Sequence, residues 1–334
     1  MTYEAIQFRG SLSGEIVKKI STHQPPKSDE VVVRVTHSGL CGTDVHYRKT
    51  DMVLGHEGVG IVQEVGSACT NLKIGDRVGW GYPNFTCGLC SVCLQGQDVY
   101  CPNAQYFGIA DYEMGSLSSL VVRKEQWLFK IPDEMSSEDA APLMCGGATV
   151  FTPTMDFVKP YDRVGVVGIG GLGHLAIQFA SKIGAEVVVF SGSEDKREEA
   201  MKLGAKEFYA TKRVDDYTTF GMKSIDRLLI TTSAKLNLSV FYPILSTMAT
   251  ILPLTVSDGE LTAPYMPTLI QGHKIIGSKL ATRHMQYKML EFAGRNQIHA
   301  MVEKFPMTVE GVNAAVHRLQ SGKMRYRGVL SWEY

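Results

Sequence analysis

A glycine run in the middle of the chain constrains the fold more than any other feature. It matches G-x-G-x-x-G, follows an apolar, strand-like segment at 163–167 and precedes helical apolar spacing at 174–183. In that setting the glycines permit a tight turn, and the helix N-terminus receives a pyrophosphate. A glycine-rich turn without a ligand is the alternative. The predicted cofactor contacts of the run are Gly168, Ile169, Gly170, Gly171, Leu172 and Gly173.

Strand-like and helix-like segments alternate after residue 160. This alternation predicts an α/β domain with a doubly wound parallel sheet of the Rossmann type. The segments are strands at 163–167, 186–190, 226–230, 249–254 and 274–277, with helices at 174–183 and 195–203. Residues 1–146 instead contain short apolar runs broken by glycine and proline, which predicts an antiparallel, barrel-like β domain.

Length and composition indicate an ordinary globular protein of two domains. The chain has 334 residues, and Lys+Arg equals Asp+Glu at 34, so nothing attracts nucleic acid or an anionic membrane. The N-terminus lacks the apolar core of a signal peptide, and no stretch approaches the roughly 18 apolar residues of a membrane span. We predict a zinc-binding β domain at 1–146, a cofactor domain at 147–279, and a return to the first domain at 280–334.

Four cysteines have the spacing of a closed metal site. Close C-x2-C spacing lets a loop wrap one tetrahedral ion, which predicts structural zinc, with an iron–sulfur centre or free thiols as alternatives. The four are Cys87, Cys90, Cys93 and Cys101. The odd total of seven cysteines fits a reducing compartment, so we expect a cytoplasmic protein.

Three residues far apart in sequence indicate a second metal site. They are Cys41, His56 and Cys145, each in a distinctive short motif. Two cysteines and one histidine leave the fourth position of a zinc ion open, where a carbonyl can be polarised or an alcohol deprotonated. Glu57 could enter the coordination shell transiently, and Asp44 could fix the ring of His56.

The end of the second strand of the cofactor domain favours NADP over NAD. An NAD enzyme places an acid there for the ribose hydroxyls, whereas this strand runs into Ser191, Gly192 and Ser193. Small hydroxyl side chains leave room for a 2′-phosphate, which Lys196 and Arg197 can neutralise. The alternative is that Ser193 merely caps the helix and the two cations form a solvated face.

Together these motifs resemble the zinc-dependent medium-chain alcohol dehydrogenases, most closely the cinnamyl-alcohol-dehydrogenase-like branch. The resemblance extends from Glu30 to Arg327. It implies a GroES-like β-barrel catalytic domain, a Rossmann cofactor domain, two zinc ions per chain and NADP(H). It also implies a homodimer in which cofactor-domain strands pair.

The resemblance assigns roles to individual positions. The Thr43 position hydrogen-bonds the substrate oxygen, and the His46 position passes its proton to solvent. Thr149 and Ser278 match positions near the nicotinamide. The positions matched to catalytic zinc ligands are Cys41, His56 and Cys145, with Glu57 as an alternate ligand. The positions matched to the NADP phosphate pocket run from Ser191 to Lys196.

One segment departs from the resemblance. The stretch from Tyr47 to Leu54 is roughly six to eight residues shorter than the resemblance leads us to expect. Because this segment helps to wall the substrate channel in the family, we expect a pocket that is wider on one side. Its remaining lining is expected to include Trp80, Tyr82 and Phe85. Another loop that folds inward and closes the gap is the alternative.

The sequence therefore predicts an NADP(H)-dependent alcohol dehydrogenase or aldehyde reductase for a medium-sized or aromatic substrate. Reduction of an iminium or a conjugated double bond on the same scaffold is the alternative enzyme, but it would not need the hydroxyl relay of Thr43 and His46. Outside enzymes, the alternative is a non-catalytic zinc- and nucleotide-binding protein, yet no zinc ligand or relay residue is lost.

Overall fold

The computed structural model describes residues 2–257 and 259–332 of the chain. The chain divides into a first unit of Met1–Ala148 with Ala281–Tyr334, and a second unit of Thr149–Leu280. Within the described residues, no helix has both the length and the apolar character that crossing a membrane requires.

The elements are numbered in chain order. The strands are β1 (Tyr3–Arg9), β2 (Val17–His23), β3 (Glu30–Leu40), β4 (Glu57–Val65), β5 (Arg77–Trp80), β6 (Pro83–Phe85), β7 (Gln105–Tyr106), β8 (Leu120–Lys124), β9 (Phe129–Lys130), β10 (Arg163–Val167), β11 (Glu186–Ser191), β12 (Glu207–Ala210), β13 (Ile225–Ile230), β14 (Leu245–Pro253), β15 (Lys274–Ile275), β16 (Val302–Pro306) and β17 (Arg327–Ser331). The α-helices are α1 (Gly42–His46), α2 (Ser91–Leu94), α3 (Ser137–Pro142), α4 (Ala148–Phe157), α5 (Gly173–Ile183), α6 (Arg197–Lys202), α7 (Tyr265–Gln271), α8 (Arg283–Asn296) and α9 (Val309–Gln320).

The first unit is built on a seven-stranded sheet. Its order is β16-β17-β3-β4-β5-β9, with β8 also paired to β3, and every pairing except β16 with β17 is antiparallel. The valines at 31, 32 and 33 of β3 are all fully buried, so both faces of this strand are covered. The sequence prediction of an antiparallel β domain is confirmed.

The second unit contains a six-stranded, wholly parallel sheet in the order β12-β11-β10-β13-β14-β15. The strand order reverses at β10, and the crevice at the carboxyl ends of β10 and β13 is where such sheets bind ligands. The predicted doubly wound sheet is confirmed. The predicted helix at 195–203 is shorter, because a 3-10 turn at Glu194–Lys196 precedes α6.

Trp80 differs from the expectation that it lines the substrate pocket. Its side chain is fully buried in the core of the first unit, among valines of β3, β4 and β5. The ring lies across Gly58, where an added Cβ would stand 2.2 Å from the ring atoms. The missing side chain at Gly58 therefore lets the indole enter the core, and Trp80 belongs to the packing of the sheet.

Candidate metal centres and cofactor groove

The carboxylate of Asp44 organises the region between β3 and β4. Asp44 lies in the first turn of α1, and its Oδ2 accepts the backbone N–H of Cys41 at 2.9 Å. Its Oδ1 accepts the N–H of Gly55 at 3.0 Å and lies 2.9 Å from Nδ1 of His56. Because Nδ1 donates to this carboxylate, Nε2 of His56 carries the lone pair and is the available ligand atom.

Four side chains converge next to this network. The ligand atoms of Cys41, His56, Glu57 and Cys145 all lie within 4.8 Å of one another. Cys41 directly precedes α1, while His56 and Glu57 lie at the start of β4. Cys145 lies in a buried π-helical turn at Leu143–Gly147, between α3 and α4. The structure thus brings together the residues that the sequence assigned to the catalytic zinc.

The unsatisfied atoms of this cluster fit a divalent metal ion. Nε2 of His56 and Oε2 of Glu57 are buried and have no hydrogen-bond partner within the described part of the chain. A hydrogen bond from the Cys145 thiol lowers the pKa of Cys41 well below its usual value, and the same bond raises that of Cys145. With both thiols ionised, two thiolates and the carboxylates of Glu57 and Asp44 carry four negative charges, of which the guanidinium of Arg327 offsets one. A divalent cation would offset two more.

Arg327 is the part of this site that sequence reasoning missed. Its Nη2 donates to Oε1 of Glu57, and both side chains are buried. Gly39 allows this arrangement, since an added Cβ there would stand 2.1 Å from Oε2 of Glu57. Burial raises the pKa of Glu57 to about 7, although Arg327 opposes the shift. A buried glutamate requires a cation, but only the pairing of β17 with β3 shows which arginine supplies it.

The two residues assigned to proton transfer share one face of α1. Thr43 and His46 are three positions apart, a spacing that places side chains on the same side of a helix. Oγ1 of Thr43 lies 3.9 Å from Sγ of Cys41, so this hydroxyl borders the four-residue cluster. The side chain of His46 is exposed to solvent.

Four further cysteines form a compact cluster. The Sγ–Sγ distances are 4.0 Å between Cys87 and Cys93, 3.8 Å between Cys90 and Cys101, and 3.5 Å between Cys87 and Cys101. Metal–sulfur bonds of about 2.3 Å in a tetrahedral zinc site separate the sulfur atoms by roughly 3.8 Å. Backbone hydrogen bonds from Leu89 and Cys90 lower the pKa of Cys87 to about 6, which favours the thiolate. The geometry suits a closed four-sulfur site.

An ion pair anchors the lobe that carries this cluster. Asp98 begins the 3-10 turn that leads into Cys101, and its Oδ1 accepts the backbone N–H of Arg283 at 3.2 Å. Nε of Arg283 donates to Oδ2 of the same carboxylate at 2.5 Å. Asp98 is buried, and the pair ties the last cysteine of the cluster to the start of α8.

The glycine run of the second unit adopts the turn that its sequence predicts. Gly168 has φ of +91°, and α5 begins at Gly173, where an added Cβ would stand 2.0 Å from the carbonyl oxygen of Gly168. No atom lies within 4 Å of a Cβ added to Gly170. Glycine is therefore required for the turn at Gly168 and for close packing at Gly173, while Gly170 faces open space.

The predicted phosphate pocket lies beside this turn. Nζ of Lys196 donates to the carbonyl oxygen of Ile169 at 2.9 Å, which links the loop after β11 to the glycine run. Ser191 is buried at the end of β11, whereas Gly192 and Ser193 are exposed. The side chain of Ser193 does not cap the following turn, contrary to the alternative considered from the sequence.

Three further residues were named from the sequence near the cofactor. Arg197 pairs with Glu194 and packs over the ring of Phe208 at 4.9 Å, so its charge is already engaged. Thr149 lies in the first turn of α4 and is buried, and Ser278 follows β15 and is half-buried. The described hydrogen bonds join neither Thr149 nor Ser278 to the glycine run.

Comparisons with known proteins agree with this architecture. Family models match at residues 27–133 (alcohol dehydrogenase GroES-like domain) and 171–295 (zinc-binding dehydrogenase). A probable mannitol dehydrogenase of Mesembryanthemum crystallinum is 35% identical over 90% of this chain and 87% of its own. NADP-dependent alcohol dehydrogenase C 1 of Mycolicibacterium smegmatis is 30% identical over 96% and 95%. A cinnamyl alcohol dehydrogenase structure from Sorghum bicolor has a TM-score of 0.92 at 29% identity, covering 98% of both chains. The predicted GroES-like and Rossmann domains are confirmed.

The buried pair of Glu57 and Arg327 yields a stability prediction. Arg327→Met removes the only cation paired with Glu57 among the described ion pairs, and we expect it to lower the free energy of unfolding by about 3–5 kcal/mol. The double variant with Glu57→Gln should recover at least half of that loss, because no unpaired charge remains buried. Urea unfolding measures both, with half-buried Arg325→Met as the matched control. Equal losses for Arg327→Met and Arg325→Met would contradict the prediction.

Proposed function

Because the chain belongs to the zinc-binding alcohol dehydrogenase family, we propose that it is an NADP(H)-dependent alcohol dehydrogenase or aldehyde reductase. The observation that carries the proposal is the convergence of Cys41, His56 and Cys145, with Glu57 as a fourth group, in a buried cluster where Nε2 of His56 and Oε2 of Glu57 have no hydrogen-bond partner among the described residues. This donor set is the kind that holds a catalytic metal with an open position.

Cys41, His56 and Cys145 hold the catalytic zinc in this proposal, with Glu57 as an alternate ligand. Zinc supplies a Lewis acid that polarises the substrate oxygen. Asp44 orients His56, and the charge of Arg327 favours the ionised form of Glu57 and holds its carboxylate beside the cluster. The second zinc belongs to the closed four-cysteine cluster, where it stabilises the lobe. Free, unbridged thiols in both sites suit the cytoplasm, which we propose as the compartment.

Thr43 and His46 form the proton path. The Thr43 hydroxyl borders the cluster and can hydrogen-bond the substrate oxygen, while the exposed imidazole of His46 exchanges a proton with water. Such a path serves a reaction that creates or removes a hydroxyl. Reduction of an iminium or a conjugated double bond does not need it, so the intact pair favours alcohol and aldehyde chemistry.

The cofactor site of the proposal lies in the second unit. NADP(H) supplies or accepts the hydride. Main-chain N–H groups of the Gly168–Gly173 turn and the N-terminus of α5 face the pyrophosphate, while Thr149 and Ser278 serve the nicotinamide end. Ser191, Gly192, Ser193 and Lys196 accommodate the 2′-phosphate, since a lysine and hydroxyl groups stand where an NAD enzyme carries an acid.

Aromatic rings around His56 support a medium-sized or aromatic substrate. The ring centroid of Phe107 lies 5.1 Å from that of His56, and that of Tyr82 lies 5.5 Å away. The ring of Tyr82 therefore lies next to a proposed zinc ligand, which supports a role for it in lining the substrate pocket. Because the 47–54 segment is short, it leaves space in the pocket for a bulky substrate. The 107–115 loop packs against this segment and is the candidate for filling that space.

A substrate series tests the proposed activity. Purified protein is supplied with NADP(H) and with alcohols and aldehydes from acetaldehyde-sized to benzaldehyde-sized, and nicotinamide absorbance is followed. We expect bulky aldehydes to have kcat/KM at least equal to that of short ones, since each buried methylene contributes about 0.8 kcal/mol. A steady fall with size would refute the substrate class. Turnover of imines or conjugated alkenes alone would favour the alternative enzyme, and no turnover at all would refute the function.

Metal analysis tests the two zinc sites separately. We expect two zinc ions per chain. Cys145→Ala should abolish turnover and retain the fold with one zinc, while Cys90→Ala should lower stability by several kcal/mol. Cys69→Ala is the control, since Cys69 lies outside both clusters and should keep both ions. One zinc or none in the parent protein would overturn the assignment.

Cofactor preference is tested at the end of β11. The parent protein should have a higher kcat/KM with NADPH than with NADH. Ser191→Asp should weaken NADPH binding by about 1–3 kcal/mol through like-charge repulsion with the 2′-phosphate. NADH binding by the same variant is the internal control, and its affinity should equal or exceed that of the parent protein. Equal or better efficiency of the parent protein with NADH would disprove the preference.

The role of His46 is tested by its pH dependence. His46→Gln should slow alcohol oxidation by about tenfold, most strongly below neutral pH, where hydroxide is scarce and a base must take the proton. Cofactor affinity, measured by nicotinamide fluorescence, should remain unchanged. An unaltered pH–rate profile would mean that protons leave by another route.

A homodimer is the proposed assembly. In the second unit, β15 is an edge strand, and α7 exposes Tyr265, Leu269 and Ile270 at 77%, 64% and 69%. Exposed apolar side chains near a strand with one free edge favour pairing with a second copy. Sedimentation velocity should give twice the chain mass, and Ile270→Glu should shift the protein toward the monomer. A parent protein that sediments as a monomer at micromolar concentration would exclude this assembly.

A further inference from the structure

Arg9, the last residue of β1, makes an unusually complete set of hydrogen bonds. Its Nε donates to Oδ1 of Asp51 at 2.9 Å, and Nη2 donates to the carbonyl oxygen of the same residue at 3.2 Å. Nη1 and Nη2 bind the two carboxylate oxygens of Glu113 at 2.7 and 2.8 Å. Nη1 also donates to Oε1 of Gln7 at 3.2 Å. All five N–H groups of the guanidinium are thus used.

The guanidinium of Arg9 is much more deeply buried than the two carboxylates that it binds. The Arg9 side chain is 8% exposed, whereas those of Asp51 and Glu113 are 58% and 59% exposed. The Glu113 carboxylate raises the pKa of Arg9 despite burial, so the cation persists throughout the working range. Lys19 also contacts Asp51, at 3.2 Å, and among the described ion pairs it joins no second acid. A lysine cannot replace the planar fork that binds both acids.

The two acids belong to two different loops. Asp51 lies in the short 47–54 segment, and Glu113 lies in the 107–115 segment that follows β7. The backbone N–H of Val53 also donates a hydrogen bond to the carbonyl oxygen of Tyr112, at 2.9 Å, which joins the two loops. Arg9 therefore fastens both loops to β1 at one buried point.

The opposite ends of the same loops border the candidate metal centre. The rings of Tyr47 and Phe107 meet edge to face at 5.7 Å. The ring of Tyr47 also covers Gly108, where an added Cβ would stand 2.4 Å from it. Phe107 lies against the ring of His56, as noted above. A displacement at the Arg9 end is therefore transmitted to aromatic rings beside a zinc ligand, because both loops are short and packed.

We propose that Arg9 is a positioning residue for substrate selection. It holds the 47–54 and 107–115 loops in a fixed position relative to each other, and so fixes the rings of Tyr47 and Phe107 beside His56. The proposal rests on the aldehyde reductase activity proposed above. It also explains how a shortened 47–54 segment keeps a defined shape, since the ion pairs replace the contacts that a longer loop would make with itself.

The test compares three variants of the full-length, zinc-loaded protein. Arg9→Met removes the clamp, and Arg9→Lys retains the charge without the fork. Arg163→Met is the matched control, because Arg163 is also buried and also pairs with two acids, Glu186 and Glu207, but lies in the second unit. Each variant is assayed for kcat and KM with NADPH and both a benzaldehyde-sized and an acetaldehyde-sized aldehyde.

We expect Arg9→Met to lower the kcat/KM ratio of large to small aldehyde by about tenfold, mainly through KM of the large one. Arg9→Lys should recover less than half of this change. Arg163→Met should lose comparable stability and leave the ratio within about twofold of the parent value. An equal fall in kcat/KM for both aldehydes in Arg9→Met, or an equal ratio change in Arg163→Met, would overturn the proposal.

Hydrogen–deuterium exchange gives a readout that is independent of turnover. In Arg9→Met the amides at 47–54 and 107–115 should exchange at least tenfold faster, while those of β10, β11 and β13 keep the parent rate. If no aldehyde is turned over by the parent protein, the proposed function fails, and exchange still decides whether Arg9 holds the loops. Unchanged exchange in both loops would refute the positioning role whatever the substrate.

Discussion

The buried carboxylate of Asp44 is the interaction on which the candidate catalytic site depends. One side chain accepts the N–H at the start of α1, the N–H of Gly55 and the ring of His56. It therefore joins the end of β3, the first turn of α1 and the entry to β4. It thereby holds Cys41 and His56, which lie on separate segments of the chain, next to each other. Its hydrogen bonds also determine which nitrogen of His56 is available.

Charge balance explains the rest of the arrangement. Two cysteines and a glutamate share a small buried volume with one arginine, and burying such charges is unfavourable unless each is compensated. Arg327 compensates only part of the negative charge, so the proposed divalent cation would stabilise the folded site as well as serve the reaction. The absence of a side chain at Gly39 and Gly58 lets Glu57 and Trp80 occupy the core on either side of β4.

The groups proposed for the reaction lie partly on rigid strands and helices and partly on loops. In the second unit, the parallel sheet presents the glycine turn directly from a fully buried strand. In the first, the proposed metal ligands lie at a strand start, before a helix and in a π-helical turn, while the rings of Tyr47 and Phe107 lie on the two loops that contact Arg9. Loops vary more freely than strands, so substrate range can change without disturbing the metal ligands.

Local motifs were sufficient for much of this protein. The glycine run, the spacing of the four cysteines and the alternation of strands and helices are local patterns, each readable from a few neighbouring residues. The fold and the family predicted from them are confirmed. The sequence also indicated a second metal site from the short motifs of Cys41, His56 and Cys145, and the structure brings these three side chains together. Tertiary structure alone revealed the pairing of Arg327 with Glu57, the burial of Trp80 and the five bonds of Arg9. The reason is physical: each depends on strands or loops distant in sequence meeting at one register, and local patterns carry no information about which distant side chain meets which charge.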